Sequence, residues 1–355
     1  MENHKINFGR SLIVPSVQEL AKQPITKIPH RYVHHDDHHP APDDDPLPSL
    51  PVIDLHSLLA QASDSCSELN KLHTASTHWG FFQVINHGIS ESLLEDFKRE
   101  VLNMFKLPME DKLKLWQEED NHEGFGQLFV VSEEQKLDWS DMFYITTLPH
   151  NIRQSQLFQK LPLILREKLE AYSMEMKRVA MAILGQMGKA LGMDIEEMSE
   201  LFQDGFQSVR MNYYPPCPQP DMALGFSPHS DADALTILYQ LNDTAGLQIR
   251  KDGKWVTVKP QPGALVVNVG DIMEIVTNGV YKSVEHRAIV NSNNERMSVA
   301  TFYSSSMGTE LGPARSLVAQ HGATKFRRVP LETYLKEFFA RKLDGKSYLD
   351  FMKLD

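Results

Sequence analysis

Two imidazoles and one carboxylate carry the sharpest chemical signal in the sequence: His229-Ser230-Asp231, with His286 in a later segment. Side chains two apart in extended chain leave the same face, so His229 and Asp231 are expected to point together. His286 falls in Tyr281-Lys-Ser-Val-Glu-His-Arg-Ala-Ile-Val290, which reads as a further strand. Two histidines and an acid on three corners of a metal leave three positions open. That facial arrangement suits an iron(II) ion that must hold a co-substrate and O2 together. The spacing alone is weak, since His-x-Asp arises by chance and a single histidine is commonly a core or surface residue.

A second constellation adds weight. Arg296-Met297-Ser298 follows His286, and alternation puts Arg296 and Ser298 on one face. A guanidinium fork beside a hydroxyl is a receptor for a carboxylate, because the fork donates two parallel charge-assisted bonds. Upstream, Asn212 and Tyr214 also share a face. Taken singly, a strand arginine is a solvated charge and a strand tyrosine is core packing. A metal triad and a carboxylate receptor on neighbouring strands are harder to assemble by accident. Continuing the alternation from Ser298 through Ala300 places Phe302 on the same face, where it would line a substrate pocket.

These residues need elements to position them. Pro51–Leu55 and Phe81–Ile85 read as strands, with a helix over Glu68–Trp79 between them that Gly80 ends. Ser90 is placed to cap a helix carrying Leu94, Phe97, Val101 and Phe105. From Pro162 a longer helix sets Leu165, Leu169, Tyr172, Met176, Val179, Ile183 and Met187 on one continuous face, a core stripe. Beyond about residue 206 short alternating runs dominate: Ser208–Tyr214, Ala234–Gln240, Leu247–Lys251, Lys254–Lys259, Ala264–Val269, Tyr281–Asn291 and Arg296–Ser304. Asp252-Gly253 between two of them signals a hairpin. Closely spaced strands joined by turns imply an antiparallel sandwich or barrel. A last helix begins at Pro330 and stops before Gly345. The expected organisation is an N-terminal extension and linker over 1–50, a mainly helical region over 51–205, a β core over 206–310 and a helical tail over 311–355.

Other candidates weigh less. Residues 34–49 are rich in His, Asp and Pro; a metal tract is conceivable, but prolines and the lack of fixed geometry favour a solvated linker. His87, in the turn Asn86-His-Gly88, reads as structural. Gly124-Phe-Gly126 lacks the third glycine and the surroundings of a dinucleotide loop. Cys217, between prolines, has no base beside it to make it a nucleophile. Asp233 is left open between pocket and surface.

The 355 residues are 41% hydrophobic and 23% charged, close to ordinary globular composition, so a sizeable core is expected. The net charge of -11 argues against nucleic acid or an anionic membrane as the main partner. Cys66 and Cys217, the only cysteines, fit a reduced compartment. The apolar patch Leu12–Val14 is too short for a signal peptide, and no run reaches the length of a membrane helix. The cytoplasm, a small-molecule substrate and a monomer are the expectations.

The chain resembles plant 2-oxoglutarate- and iron(II)-dependent dioxygenases along nearly its whole length. The likeness rests on Pro51-Val-Ile-Asp-Leu55, Trp79-Gly-Phe-Phe-Gln-Val-Ile-Asn-His-Gly88, Asn212-Tyr-Tyr-Pro-Pro-Cys-Pro218, His229-x-Asp231, His286 and Arg296-x-Ser298. Pro15-Ser-Val-Gln-Glu-Leu-Ala21, Glu123-Gly-Phe-Gly-Gln127 and Lys342-Leu-Asp-Gly-Lys-Ser347 narrow it to the senescence-related and morphinan O-demethylase-like branch. The resemblance implies an α+β fold whose core is a distorted double-stranded β-helix, or jelly roll, flanked by helices. It implies that His229, Asp231 and His286 bind iron(II), and that Arg296 and Ser298, assisted by Tyr214 and Asn212, hold the distal carboxylate of 2-oxoglutarate. O2 would be the second co-substrate and ascorbate the reductant. Retention of Asp231 argues against halogenation, for which relatives carry a small residue there. Tyr144 and Phe129 join Phe302 as pocket candidates by family position. Two other readings stay open at this stage: an iron oxidase of the same fold that does not use 2-oxoglutarate, and a small-molecule-binding module with a vestigial site.

Overall fold

The computed structural model describes residues 11–34, 49–60, 64–118 and 121–354. Most of the His/Asp/Pro-rich segment lies outside the described residues. Twelve strands build the site: β1 Val52–Asp54, β2 Phe81–Ile85, β3 Gly124–Gly126, β4 Asp141–Leu148, β5 Gln207–Tyr214, β6 Leu224–His229, β7 Leu235–Gln240, β8 Leu247–Lys251, β9 Lys254–Thr257, β10 Leu265–Val269, β11 His286–Ile289 and β12 Arg296–Tyr303. Eight form one sheet in the order β1-β2-β10-β7-β12-β5-β4-β3, and four form a second in the order β6-β11-β8-β9. The non-sequential order is that of a jelly roll, in which antiparallel partners come from distant parts of the chain. β1 to β4, from the region expected to be mainly helical, complete the larger sheet.

Register makes the site legible as rungs. Across the larger sheet Tyr144 pairs with Arg210, Arg210 with Ala300, and Ala300 with Leu238. The next rung runs Thr146, Ser208, Phe302, Thr236, Asn268. A third pairs Ser298 with both Asn212 and Gln240, and at the sheet's end Arg296 faces Tyr214. Because side chains alternate, all of these project from one face, toward the smaller sheet. The opposite face presents Val209, Met211, Ile237 and Val299, each fully buried.

That opposite face packs on the helix Leu163–Leu191, whose expected stripe Leu165, Leu169, Tyr172, Met176, Val179, Ile183 and Met187 is buried throughout. At roughly 1.5–3 kcal/mol for each large apolar side chain removed from water, this helix is the main brace of the sheet. Gly192, in left-handed conformation at φ 66°, ends it. Ser90 does precede the helix Glu91–Phe105, but its hydroxyl meets Ser92 rather than capping a backbone N–H. Two elements escape sequence periodicity. β6 contains Gly225 and Pro228, which mask its alternation, and the helix Asp271–Val276 is one short turn-and-a-half buried on every side. The C-terminal region holds the helices Arg315–His321, Leu331–Phe339 and Ser347–Met352, with Gly345 between the last two.

Candidate active site

His229 closes β6 and His286 opens β11, and the two are directly paired across the smaller sheet. Their ring centroids are 4.2 Å apart. Each Nδ1 faces a backbone carbonyl, His229 that of Ser227 at 2.8 Å and His286 that of Val284 at 3.1 Å. A ring that donates from Nδ1 keeps its lone pair on Nε2, the tautomer a metal needs. Burial, followed by the neighbouring His229, holds His286 down at about 4, so it is neutral at ordinary pH.

Asp231 is not on the strand with His229, which corrects the expectation of one extended segment. β6 ends at His229, and the chain bends through Ser230–Ala234 before β7. The bend is pinned by the start of the helix Asp271–Val276: Asp271 N donates to Asp231 O at 2.8 Å, Gly270 N to Ala234 O at 2.9 Å and Ile272 N to Ala232 O at 3.2 Å. Gly270 is obligatory here, because a Cβ would stand 1.9 Å from the Asp233 carbonyl oxygen. The side chains converge all the same. Asp231 Oδ1 lies 3.3 Å from His229 Nε2 and 3.6 Å from His286 Nε2.

The other carboxylate oxygen, Oδ2, is clamped from the larger sheet by Thr236 Oγ1 at 2.5 Å and Asn268 Nδ2 at 2.7 Å. Both are buried and were missed by sequence reasoning, although Thr236 shares alternation with Leu238 and Gln240. Burial alone would raise the Asp231 carboxyl, but His286, His229 and the Thr236 hydroxyl outweigh it and hold the group well below the usual carboxylate range. A carboxylate and two imidazoles that turn Nε2 inward, their ligand atoms all within 4.8 Å of one another, form a donor set that fits a divalent transition metal on one side only.

Beside this set the larger sheet offers an anion berth. Arg296 is buried, yet its guanidinium meets only uncharged partners among the described residues: Ser298 Oγ at 3.5 Å, Gln240 Oε1 at 3.4 Å and the Tyr214 side chain. Its Nε has no partner, and no carboxylate among the described residues pairs with it. A buried guanidinium in that state is costly unless an anion completes it. Tyr214 puts its ring 5.2 Å from the Arg296 Cζ, and Asn212 leaves Oδ1 unpartnered while its Nδ2 reaches Ser298 at 3.4 Å. Gly246 makes room: a Cβ there would sit 2.6 Å from Arg296 Cδ. One cavity is lined by the triad together with Arg296, Ser298, Asn212 and Tyr214.

An adjoining chamber extends from His229 and Asp231 to the aromatic side chains Phe129, Tyr144, Phe302, Phe338 and Phe339. Phe302, Tyr144 and Phe129, the pocket candidates, all line this chamber; Phe338 and Phe339, from the C-terminal helix Leu331–Phe339, had no signal in the sequence. Arg210 lines both spaces, its Cζ 3.9 Å above the Phe226 ring, and stands two residues from Asn212 on the same face. Phe129 holds φ at 65°, an uncommon conformation for a bulky side chain, and stacks on Phe339 with ring centroids 5.5 Å apart. The chamber offers water only about 30 Å³, so an organic molecule larger than a few atoms enters it only if the rings at its mouth move aside.

The remaining candidates are structural. His87 engages both ring nitrogens, with the Gly263 carbonyl and with Ile89 N, each at 3.2 Å. Gly124–Gly126 is edge strand β3. Cys217 is buried, and burial pushes its thiol up to about 11, away from the thiolate a nucleophile needs.

Comparison with known proteins agrees with this geometry. The family model described as 2OG-Fe(II) oxygenase superfamily matches residues 205–305, and that of the non-haem dioxygenase in morphine synthesis N-terminal matches 50–163. Oxoglutarate-dependent flavonoid 7-O-demethylase 1 of Ocimum basilicum is 51% identical, covering 98% of this chain and 93% of its own length. Codeine O-demethylase of Papaver somniferum is 47% identical, covering 98% of both. The crystal structure of JOX2 in complex with 2OG, Fe, and JA superposes with a TM-score of 0.87 at 34% identity, over 96% of this chain and 98% of that one. The chain therefore belongs to the 2OG-Fe(II) oxygenase superfamily, in its morphinan O-demethylase-like branch, and is a 2-oxoglutarate-dependent dioxygenase that works with iron(II).

Proposed function

We propose that the enzyme hydroxylates or O-demethylates a small plant specialised metabolite, an alkaloid, a flavonoid or a similar compound, as a cytoplasmic monomer. His229, Asp231 and His286 hold the iron; Arg296 and Ser298, with Tyr214 and Asn212, hold 2-oxoglutarate; residues 206–310 are the catalytic core. The observation that carries the reading is the buried triad sharing one cavity with an arginine that has no acid, while His229 and Asp231 also line an aromatic chamber.

Bound to the triad, iron(II) supplies the redox chemistry by which O2 and 2-oxoglutarate oxidise a substrate C–H bond with release of succinate and CO2. The protein's own part is positioning. His229 and His286 present Nε2 in fixed orientation, and Thr236 and Asn268 keep Asp231 Oδ1 turned toward them. Arg296 takes a carboxylate in a water-poor cavity, where each charge-assisted bond counts for more. The aromatic walls exclude water and set one C–H of the substrate against the site. Attack on a ring or chain carbon gives an alcohol; attack on an O-methyl carbon gives a hemiacetal that sheds formaldehyde.

Codeine O-demethylase and the flavonoid 7-O-demethylase favour the second outcome. Among the described residues no helix is long and apolar enough to cross a membrane, in keeping with a freely diffusing enzyme. The test is an aerobic assay with iron(II), 2-oxoglutarate and a panel of plant metabolites, followed by mass spectrometry for gained oxygen or a lost methylene. Succinate should form in step with product. Oxidation that proceeds equally without 2-oxoglutarate overturns the reading.

A further inference from the structure

The segment Lys342-Leu-Asp-Gly-Lys-Ser347 is distant from the triad in sequence and packs against it in the fold. β6, which ends in His229, is the outer strand of the smaller sheet, so one of its edges has no strand beside it. At the triad end Gly345 covers that edge by bridging to His229: Gly345 N donates to Pro228 O at 3.1 Å, and Ser230 N donates to Gly345 O at 3.2 Å. One residue of the C-terminal chain thus holds the backbone on both sides of the first histidine. Gly345 stands at φ 53°, left-handed backbone that favours glycine.

The next residue reaches toward the second histidine. Lys346 Nζ donates to Glu274 Oε2 at 2.9 Å and to Ser283 O at 2.5 Å, and Glu274 Oε2 also accepts from Ser283 N at 2.7 Å. Ser283 precedes Val284, whose carbonyl faces His286 Nδ1. Glu274 is buried and Lys346 is its ion-pair partner, so the anchor is firm: without the lysine a buried acid is left uncompensated. A third tie comes from the helix Leu331–Phe339, where the Tyr334 hydroxyl donates to Ala232 O at 3.3 Å. The same helix carries Phe338 and Phe339 to the chamber.

We propose that Gly345 and Lys346 are positioning residues for the metal site: they clasp the chain beside both histidines, and so couple metal binding to the docking of the C-terminal helix that walls the chamber. Such coupling is reciprocal. Whatever the docked tail adds to metal affinity, bound metal adds to the docking of the tail. The proposal rests on the reading of the triad as the metal site and extends that site to the C-terminal chain.

The experiment titrates the full-length apo enzyme anaerobically with cobalt(II), followed by its visible spectrum. Lys346→Met should weaken cobalt(II) by at least about tenfold, the size expected when a partner behind a metal ligand is lost. The direction is diagnostic, because removing a nearby cation would on charge alone tighten a divalent ion. Lys346→Arg keeps the anchor and should stay within about threefold of wild type. The reciprocal arm needs no variant and decides the matter even where Lys346→Met does not fold. Hydrogen exchange of wild type, read by mass spectrometry, should slow at least about fivefold over 342–349 when cobalt(II) is added, and change less than about twofold in the helix Glu91–Phe105. Unchanged exchange over 342–349 overturns the proposal, as does equal slowing in both segments, which is general stabilisation. A Lys346→Met enzyme that folds and binds cobalt(II) as tightly as wild type, or more tightly, overturns it too. Failure of the underlying reading looks different: His286→Ala would then bind cobalt(II) as wild type does.

Discussion

Replacing Thr236 by valine keeps the shape of the side chain and deletes one of two bonds to the outer oxygen of Asp231. The deleted contact is a short hydroxyl-to-carboxylate bond in a buried site, the kind worth roughly 1.5–3 kcal/mol when the acceptor is charged. Asn268 still grips Oδ2, so Asp231 keeps part of its orientation. If that free energy is spent on holding Oδ1 toward the histidines, it appears as metal affinity, a loss of about 10- to 100-fold. The assay is anaerobic titration of apo enzyme with manganese(II) or cobalt(II), which avoid oxidation during the measurement. Thr236→Ser retains the hydroxyl and should stay within about threefold of wild type. If Thr236→Val binds metal as tightly as wild type while melting normally, Asp231 is oriented by something other than the clamp, and the argument fails.

Three further outcomes follow from other parts of the site. Phe302→Ala removes a ring from the chamber wall next to Thr236 in the rung, and should change substrate preference while leaving the affinity for 2-oxoglutarate within about threefold; unchanged preference and affinity refute its placement. Gly246→Ala forces a methyl to 2.6 Å from Arg296 Cδ and 2.9 Å from the Ile289 carbonyl oxygen, which cannot both yield, so the KM for 2-oxoglutarate should rise at least about tenfold with metal affinity little changed. His122 is buried against Phe339, and burial lowers it to about 4. Between its unfolded value near 6.5 and about 4 the unfolded chain binds the extra proton, so this residue destabilises the fold as pH falls through that window, by at most ~3 kcal/mol. His122→Gln should accordingly lose less stability than wild type between pH 7 and pH 5 in urea melts; an equal or greater loss would show that the ring is protonated in the fold.

What could be read from the sequence depended on whether a residue's role follows from its own strand. Arg296, Ser298 and Phe302 lie on β12, and simple alternation set all three on one face. The stripe of the long helix was legible for the same reason, since its period is its packing. Asp231 shows the limit. It was paired correctly with His229 but by the wrong geometry, because a bend and an extended pair give the same spacing in sequence. The clamp on its outer oxygen required knowing that β7 and β10 are neighbours, which no local pattern states. Phe338 and Phe339 were invisible for a stronger reason: two adjacent aromatics on a helix look like core, and only the return of the C-terminal chain makes them walls of the chamber. Arg210 could have been found by stepping the alternation of Tyr214 and Asn212 back by one more pair.

The site also joins the two sheets. His229 and His286 belong to the smaller sheet, while Asp231 is tied by Thr236 and Asn268 to the larger one. A metal held by all three spans the interface, and without it the carboxylate and imidazoles are left in a dry space with only each other. Metal binding must then stabilise the fold as well as the chemistry, because the unfolded chain offers no such set. At manganese(II) one hundred times its dissociation constant the gain is about 2.7 kcal/mol. For a chain of this size that is a rise in Tm of roughly 3–6 °C. Thr236→Val should show the same gain only at proportionally higher metal, since it weakens the site without removing a ligand. His286→Ala should show none. A rise of equal size in His286→Ala would place the stabilising metal elsewhere and separate the joining of the sheets from the triad.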